Sequence, residues 1–319
     1  MKITVIGCGR WGSFIAKYLA DLGYSVTLYG RATSQNMAAL LDTRANALMR
    51  LPDSIRLSTD LADALSGAEA VIVSIGSQQL RGLAAELRDT GFDSGTVVLC
   101  MKGLEISTGK RLSVIVREEL GVGVRTAVWL GPGHVQDFCN GIPNCMVIDS
   151  EDEETKHRLI EAFSGKLIRF YYGQDMIGNE IGAAAKNVVG IAAGLLDGME
   201  LSPLKGALMS RGTREIARLI KAMGGNELSA FGLCHLGDYE ATVFSPFSHN
   251  RRFGEAWAKG EEFTKLAEGY YTVRGLTLLA REHGVDLPIC RTVENILYQN
   301  ANAREARSLL FERSLKNEF

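Results

Sequence analysis

The chain has 319 residues, of which 46% are apolar, with a formal net charge of −2 and six cysteines. That length buries a large core and suits two domains rather than one. The near-neutral charge is spread along the chain and gives no electrostatic case for nucleic acid or an anionic membrane, so an anionic ligand must be met by local groups.

Met1 and Lys2 lead straight into an apolar strand, without a charged leader and cleavage site, and no stretch has the length and polarity of a spanning helix. A cytoplasmic protein without stable membrane insertion is expected. Cys8, Cys100, Cys139, Cys145, Cys234 and Cys290 form no CxxC pair, so reduced thiols are expected. No histidine or carboxylate cluster accompanies Cys139 and Cys145 at ligand spacing, and no metal is expected.

The apolar run Ile3 to Ile6 feeds into Gly7-Cys8-Gly9-Arg10-Trp11-Gly12, followed by an amphipathic stretch through Leu22, a stop at Gly23 and a second apolar strand at Ser25 to Tyr29. This strand, turn, helix and strand make up the layout of a dinucleotide-binding turn. Gly7 permits the tight exit from the strand, Gly9 lets the backbone approach a pyrophosphate, and Gly12 lets the helix pack against the sheet with its N-terminal N–H groups toward the anion. After the second strand stands Gly30-Arg31-Ala32 rather than Asp or Glu. A carboxylate there would bond the ribose of NAD and repel the extra phosphate of NADP; Arg31 can pair with that phosphate, so NADP is favoured and NAD remains possible.

Further β-rich runs at Ala70 to Ser74, Thr96 to Met101, Thr126 to Leu130, Asn144 to Ile148 and Lys166 to Tyr171 alternate with helical patterns. Such alternation predicts an α/β domain with a doubly wound, mainly parallel sheet. Ser150-Glu151-Asp152-Glu153 has the spacing of a capping box and marks a helix start. After about Gln174 the β-rich runs nearly vanish, and the expected division is residues 1–175 for dinucleotide binding and 176–319 for an all-α substrate and dimerisation domain. The second domain would open with a buried helix, Ile177 to Leu196, rich in Gly and Ala, with turns at Asp197-Gly198, Gly224-Gly225 and Gly284. A substrate would then sit between the carboxyl ends of the strands and the helical domain.

Lys186 lies in the apolar segment Gly182 to Gly190, where desolvation would bring a lysine toward proton transfer. The competing reading is a lysine that snorkels to water. Asp238 and Thr242 share a face if their region is helical, and Ser248-His249-Asn250-Arg251-Arg252 offers donors for a phosphate or carboxylate. Read alone, Asp238 is more often a cap and His249 to Arg252 more often a solvated basic loop. Met101-Lys102-Gly103-Leu104-Glu105 and Gly131-Pro132-Gly133 follow strands, where Lys102 either assists an anionic substrate or forming alkoxide or rests on the surface.

Taken together, these residues resemble the soluble NAD(P)-dependent glycerol-3-phosphate dehydrogenases over nearly the whole chain. The resemblance is carried by the Gly7 to Gly12 turn, Lys-Gly-Leu-Glu at 102–105, Ala-Lys-Asn at 185–187, Ser-Arg-Gly at 210–212, Leu-Gly-Asp at 236–238, Asn-Arg-Arg-Phe-Gly at 250–254, Glu-Gly-Tyr at 268–270 and Asn-Ala-Arg-Glu-Ala at 302–306. It implies a Rossmann-type domain followed by a helical domain, a homodimer, and reduction of dihydroxyacetone phosphate to sn-glycerol 3-phosphate for lipid synthesis. It also implies Lys186 as proton donor and acceptor, with Lys102 and Asp238 beside it in catalysis. Asn187, Thr242, Ser248, His249, Asn250 and Gly131 then fall to the substrate. The cofactor falls to Gly7, Gly9, Arg10, Trp11, Gly12, Arg31, Lys102, Val135, His249 and Glu268.

The departures fall at the substrate. His249 stands where the family has an arginine, Gly131-Pro132-Gly133-His134-Val135 replaces Gly-Pro-Ser/Thr-Phe-Ala, and Gly76-Ser77 replaces Pro-Ser. Histidine cannot form the same bidentate phosphate pair, and Arg251, Arg252 or His134 would have to compensate. Two other readings stand beside the main one: a related NADP-dependent reductase of another small ketone or oxo acid, and a catalytically retired NADP-binding sensor.

Overall fold

A computed structural model describes residues 1–303 and residue 305. Arg304 and Ala306 of the Asn-Ala-Arg-Glu-Ala motif lie outside the described residues. Contacts divide the chain into two compact units, one of Met1–Lys102 with Arg111–Glu180, the other of Gly103–Lys110 with the described residues from Ile181 onward.

The first unit is built on one sheet of eight strands: β1 (Lys2–Ile6), β2 (Ser25–Tyr29), β3 (Arg56–Ser58), β4 (Ala70–Val73), β5 (Gly95–Leu99), β6 (Val124–Leu130), β7 (Asn144–Ser150) and β8 (Ile168–Tyr172). Their order is β3-β2-β1-β4-β5-β6-β7-β8. Every neighbouring pair is parallel except β6 and β7. The central strands are continuous apolar runs because a parallel sheet is covered on both faces; Ile3, Val5, Ala70, Val71, Ile72, Val97 and Val98 are fully buried. The chain order reverses between β1 and β4, so the turns after these two strands open on the same sheet edge as the loops after β5 and β6.

Two details of this unit differ from the sequence reading. β3 was not anticipated, because Arg56–Ser58 is short and polar; it is held by its register with β2, by Arg56 Nε donating to Thr27 Oγ1 at 3.2 Å, and by the Arg56–Asp63 ion pair. The helix after β7 does start in the acidic run, at Glu153, but its cap is Asp152, whose carboxylate accepts from Thr155 N at 2.8 Å. Ser150 instead ends β7 and donates to Thr126 O.

The second unit is helical. The helix Met176–Gly198 leads into it, followed by Lys205–Ala222, His249–Lys259, Glu268–Glu282 and Pro288–Tyr298. Small residues allow backbones to touch: a Cβ on Gly194 would overlap the carbonyl of Arg251, and one on Gly254 the carbonyl of Ile191. Asp238 and Thr242 do not lie on one regular α-helix. Asp238 ends a short 3₁₀ turn, Leu236–Asp238, and Thr242 lies in a π-helical turn, Glu240–Phe244. Among the described residues no helix is long and apolar enough to cross a membrane.

At the β1 turn, Gly12 faces the backbone of Gly7 so closely that a Cβ would overlap the Gly7 carbonyl. Gly12→Ala must displace backbone rather than a flexible side chain, and should cost at least about 1–3 kcal/mol. A drop in the urea unfolding midpoint checks this; a variant as stable as the parent would show that the turn is less tightly packed.

Candidate active site

In the first unit, the turn after β1 assembles from its glycines. Gly7 has φ +111°, a conformation that admits little but glycine, and its N–H donates to Tyr29 O at 2.9 Å, tying the turn to β2. Gly9 caps the helix Arg10–Asp21, and a Cβ there would meet nothing within 4 Å. The first turn of that helix carries no acidic residue. An open backbone face at a helix start without carboxylates, with the exposed Arg10 as the first helical residue, fits an anionic pyrophosphate. At the end of β2, the exposed Arg31 pairs with Glu86 at 3.1 Å.

The loops after β5 and β6 are joined on the same unit. Lys102 is half-buried and its Nζ donates to Gly131 O at 2.7 Å. Phe138, from the short helix Val135–Cys139, packs against Trp11 and Phe14 at ring separations of 6.0 and 5.0 Å, which links this loop to the glycine turn. The same ring explains Gly133: a Cβ there would lie 2.5 Å from Phe138, so this backbone has no room for the family's Ser or Thr.

In the second unit, Lys186 is buried with partners. Its Nζ lies 2.7 Å from Asp238 Oδ2 and donates to Thr242 Oγ1 at 2.8 Å. Thr242 in turn donates to Asp238 O at 2.7 Å. The π-helical turn brings the hydroxyl back over the preceding carbonyl. The snorkelling alternative does not hold, since the ammonium ends on a buried carboxylate rather than in water.

Asn187, the next residue on that helix, accepts through Oδ1 from Asn250 Nδ2 at 3.0 Å, and Asn250 Oδ1 accepts from Gly269 N at 2.9 Å. This chain of amides fixes the start of the helix Glu268–Glu282, whose first residue is the half-buried Glu268. Ser248 caps the helix His249–Lys259, accepting from Arg251 N. His249 is half-buried, with Nδ1 3.2 Å from Leu266 O.

Arg251 does not stand ready to replace the missing arginine. Its guanidinium is committed to Asp197 at 2.7 Å, Glu255 at 3.3 Å and Ser245 O at 3.1 Å. Arg252 lies over the Phe263 ring.

Sequence reasoning missed His235 and Tyr239, both with no exposed surface. His235 Nδ1 is 2.8 Å from Gly182 O, and its Nε2 is 2.7 Å from the Tyr239 hydroxyl. A carbonyl only accepts, so Nδ1 carries the hydrogen and Tyr239 donates to Nε2. The available signal was a histidine three residues before Asp238 in an otherwise apolar run.

Comparison with known proteins gives one consistent result. The family profile described as NAD-dependent glycerol-3-phosphate dehydrogenase N-terminus matches residues 2–156, and its C-terminus counterpart matches residues 175–308. A glycerol-3-phosphate dehydrogenase [NAD(P)+] from Chlorobium phaeobacteroides is 35% identical, the alignment covering 100% of this chain and 99% of the relative. The enzyme of that name from Thiobacillus denitrificans is 36% identical with 100% of both covered. The crystal structure of glycerol-3-phosphate dehydrogenase from Coxiella burnetii superposes with TM-score 0.92 at 28% identity, over 98% of this chain and 99% of that one.

Burial lowers the pKa of His235 from 6.5 to about 4, with the Lys186 charge acting in the same direction. Between those values the unfolded chain binds a proton that the folded chain does not, so stability is lost as pH falls from about 6.5 toward 4. The loss from this residue should reach about 2 kcal/mol by pH 5. Urea midpoints at pH 7 and pH 5 should therefore diverge more in the parent than in His235→Asn; equal divergence would mean that His235 accepts a proton inside the fold.

Proposed function

The chain belongs to the NAD-dependent glycerol-3-phosphate dehydrogenase family, and we propose that its reduction of dihydroxyacetone phosphate to sn-glycerol 3-phosphate with NAD(P)H is driven by proton delivery from Lys186. The observation that carries this reading is the buried contact of Lys186 with Asp238 and Thr242. The ammonium has three donors. Asp238 and Thr242 orient it, and in the proposed reaction the ammonium donates to the ketone oxygen. As that oxygen becomes an alkoxide, the ammonium stabilises the growing charge and then gives up its proton. Asp238, in contact with the ammonium at 2.7 Å, holds it in place.

Bound NAD(P)H supplies the hydride. The chain's part is to hold the dinucleotide: Gly7, Gly9 and Gly12 shape the pyrophosphate turn, with Arg10 and Trp11 at the helix start, and Arg31 receives the additional phosphate of NADP. Glu86, paired with Arg31, weakens that preference and is in keeping with use of both dinucleotides. Val135, Lys102, His249 and Glu268 complete the cofactor assignment.

Asn187, Thr242, Ser248, His249 and Asn250 in the second unit, and Lys102 and Gly131 in the first, are assigned to the substrate. With Arg251 held by Asp197 and Glu255, the phosphate contact falls to His249 rather than to its neighbouring arginine. The phosphate is the handle by which a small substrate's binding energy is applied to orientation at the carbonyl. The same reading makes the protein a cytoplasmic homodimer that feeds glycerophospholipid synthesis. The full-length relatives favour it over a reductase of another carbonyl compound or a retired sensor.

Lys186→Met should lower kcat for dihydroxyacetone phosphate by at least about 100-fold while leaving the NADPH dissociation constant unchanged. The lone buried carboxylate would cost about 3–5 kcal/mol, so Lys186→Met with Asp238→Asn is the companion variant that preserves the fold. Parent-like turnover in either, or loss of NADPH binding together with turnover in a folded variant, would contradict the assignment.

A further inference from the structure

We propose that His235 is a positioning residue: with Tyr239 it clamps the helical turn bearing Lys186 to the segment bearing Asp238 and Thr242, and so sets the direction in which the ammonium points. The proposal rests on the reading of Lys186 as the proton donor.

The geometry begins with Gly182. In an α-helix the carbonyl of residue 182 receives the N–H of residue 186, so Gly182 O closes the turn on which Lys186 sits. A carbonyl oxygen has a second lone pair, and His235 Nδ1–H takes it at 2.8 Å. The approach is close, for a Cβ on residue 182 would lie 3.0 Å from His235 Cβ. The imidazole is thus bonded to the backbone that aims the lysine.

Its other side leads to the lysine's partners. Asp238 N donates to His235 O at 3.0 Å, and Tyr239 O accepts from Thr242 N at 3.1 Å. The Tyr239 hydroxyl closes the clamp on Nε2 at 2.7 Å, with the two rings edge to face at 4.9 Å. Asp238 and Thr242, which touch the Lys186 ammonium, therefore both hang from the backbone of the His235–Tyr239 pair. Burial of both residues leaves no water to take over these bonds. A neutral ring is the form that fits, since a second cation beside Lys186 would compete for Asp238.

A displacement of about 1 Å at a reacting group can cost about 100-fold in rate without altering binding. His235→Leu removes both hydrogen bonds, Tyr239→Phe removes the second, and His235→Asn keeps a donor near the Nδ1 position. The expected result is a fall in kcat for dihydroxyacetone phosphate reduction of about 10- to 100-fold in His235→Leu, a smaller fall in Tyr239→Phe, and recovery of most of the rate in His235→Asn. KM for NADPH should stay as in the parent. Deuterium at the transferred C4 hydrogen of NADPH should slow the impaired variants more than the parent, because the chemical step becomes limiting. A purely structural role would lower the unfolding midpoint and leave kcat and the isotope effect of the folded enzyme unchanged.

If His235→Leu does not fold, Tyr239→Phe and His235→Asn carry the test. Parent-like kcat and isotope effect in the folded variants, alongside an inactive Lys186→Met, overturn the positioning role alone. An active Lys186→Met overturns the reading beneath it.

Discussion

A buried ammonium cannot stand without compensation, and the arrangement around Lys186 follows from that. Taking the charge out of water costs several kcal/mol unless an anion and well-placed acceptors replace the solvent. Asp238 supplies the charge and Thr242 the acceptor, and neither reaches the lysine from a continuous α-helix. The chain that carries them folds as a 3₁₀ turn followed by a π-helical turn, irregular backbone tied by the hydrogen bonds of His235 to Gly182 and to Tyr239. Elsewhere in the second unit the close crossings at Gly194 and Gly254 serve ordinary packing, whereas here packing is subordinate to one charge.

The first unit meets a different constraint. Its glycine turn leaves the backbone at Gly9 open, and the surrounding residues secure what the missing side chains cannot. Gly7 is bonded to β2, Gly12 rests on Gly7, and Trp11 and Phe14 pack on Phe138 beyond the β6 loop. The same Phe138 makes Gly133 necessary. A departure from the family pattern that looks in sequence like a lost hydroxyl is thus a packing exchange within this unit. The replacement of arginine by His249 has no such explanation, because Arg251 is engaged elsewhere.

Much of this was legible in the sequence because the signals are local. Strands buried on both faces read as unbroken apolar runs, and the β1 turn declares itself by three glycines in the right setting. Lys186 stood out because a lysine among Gly and Ala demands a reason. What could not be read was set by contacts distant along the chain. β3 is too polar to mark itself, the reversal at β7 leaves no trace in the alternation of strands and helices, and Asp152 rather than Ser150 caps its helix by a choice of geometry that the capping-box spacing does not decide. His235 was overlooked for the same reason. Its partner Gly182 lies 53 residues away, and a lone histidine in an apolar run carries no sign of what it bonds.

The most direct measurement is oxidation of NADPH by the purified protein with dihydroxyacetone phosphate, set beside unphosphorylated dihydroxyacetone and beside NADH as the reductant. The proposed function predicts turnover that depends on the phosphate, with NADPH preferred and NADH accepted. Equal rates with the phosphorylated and unphosphorylated ketones, or no turnover with dihydroxyacetone phosphate by protein that binds NADPH, would contradict it and direct attention to His249 as the residue that changed the substrate.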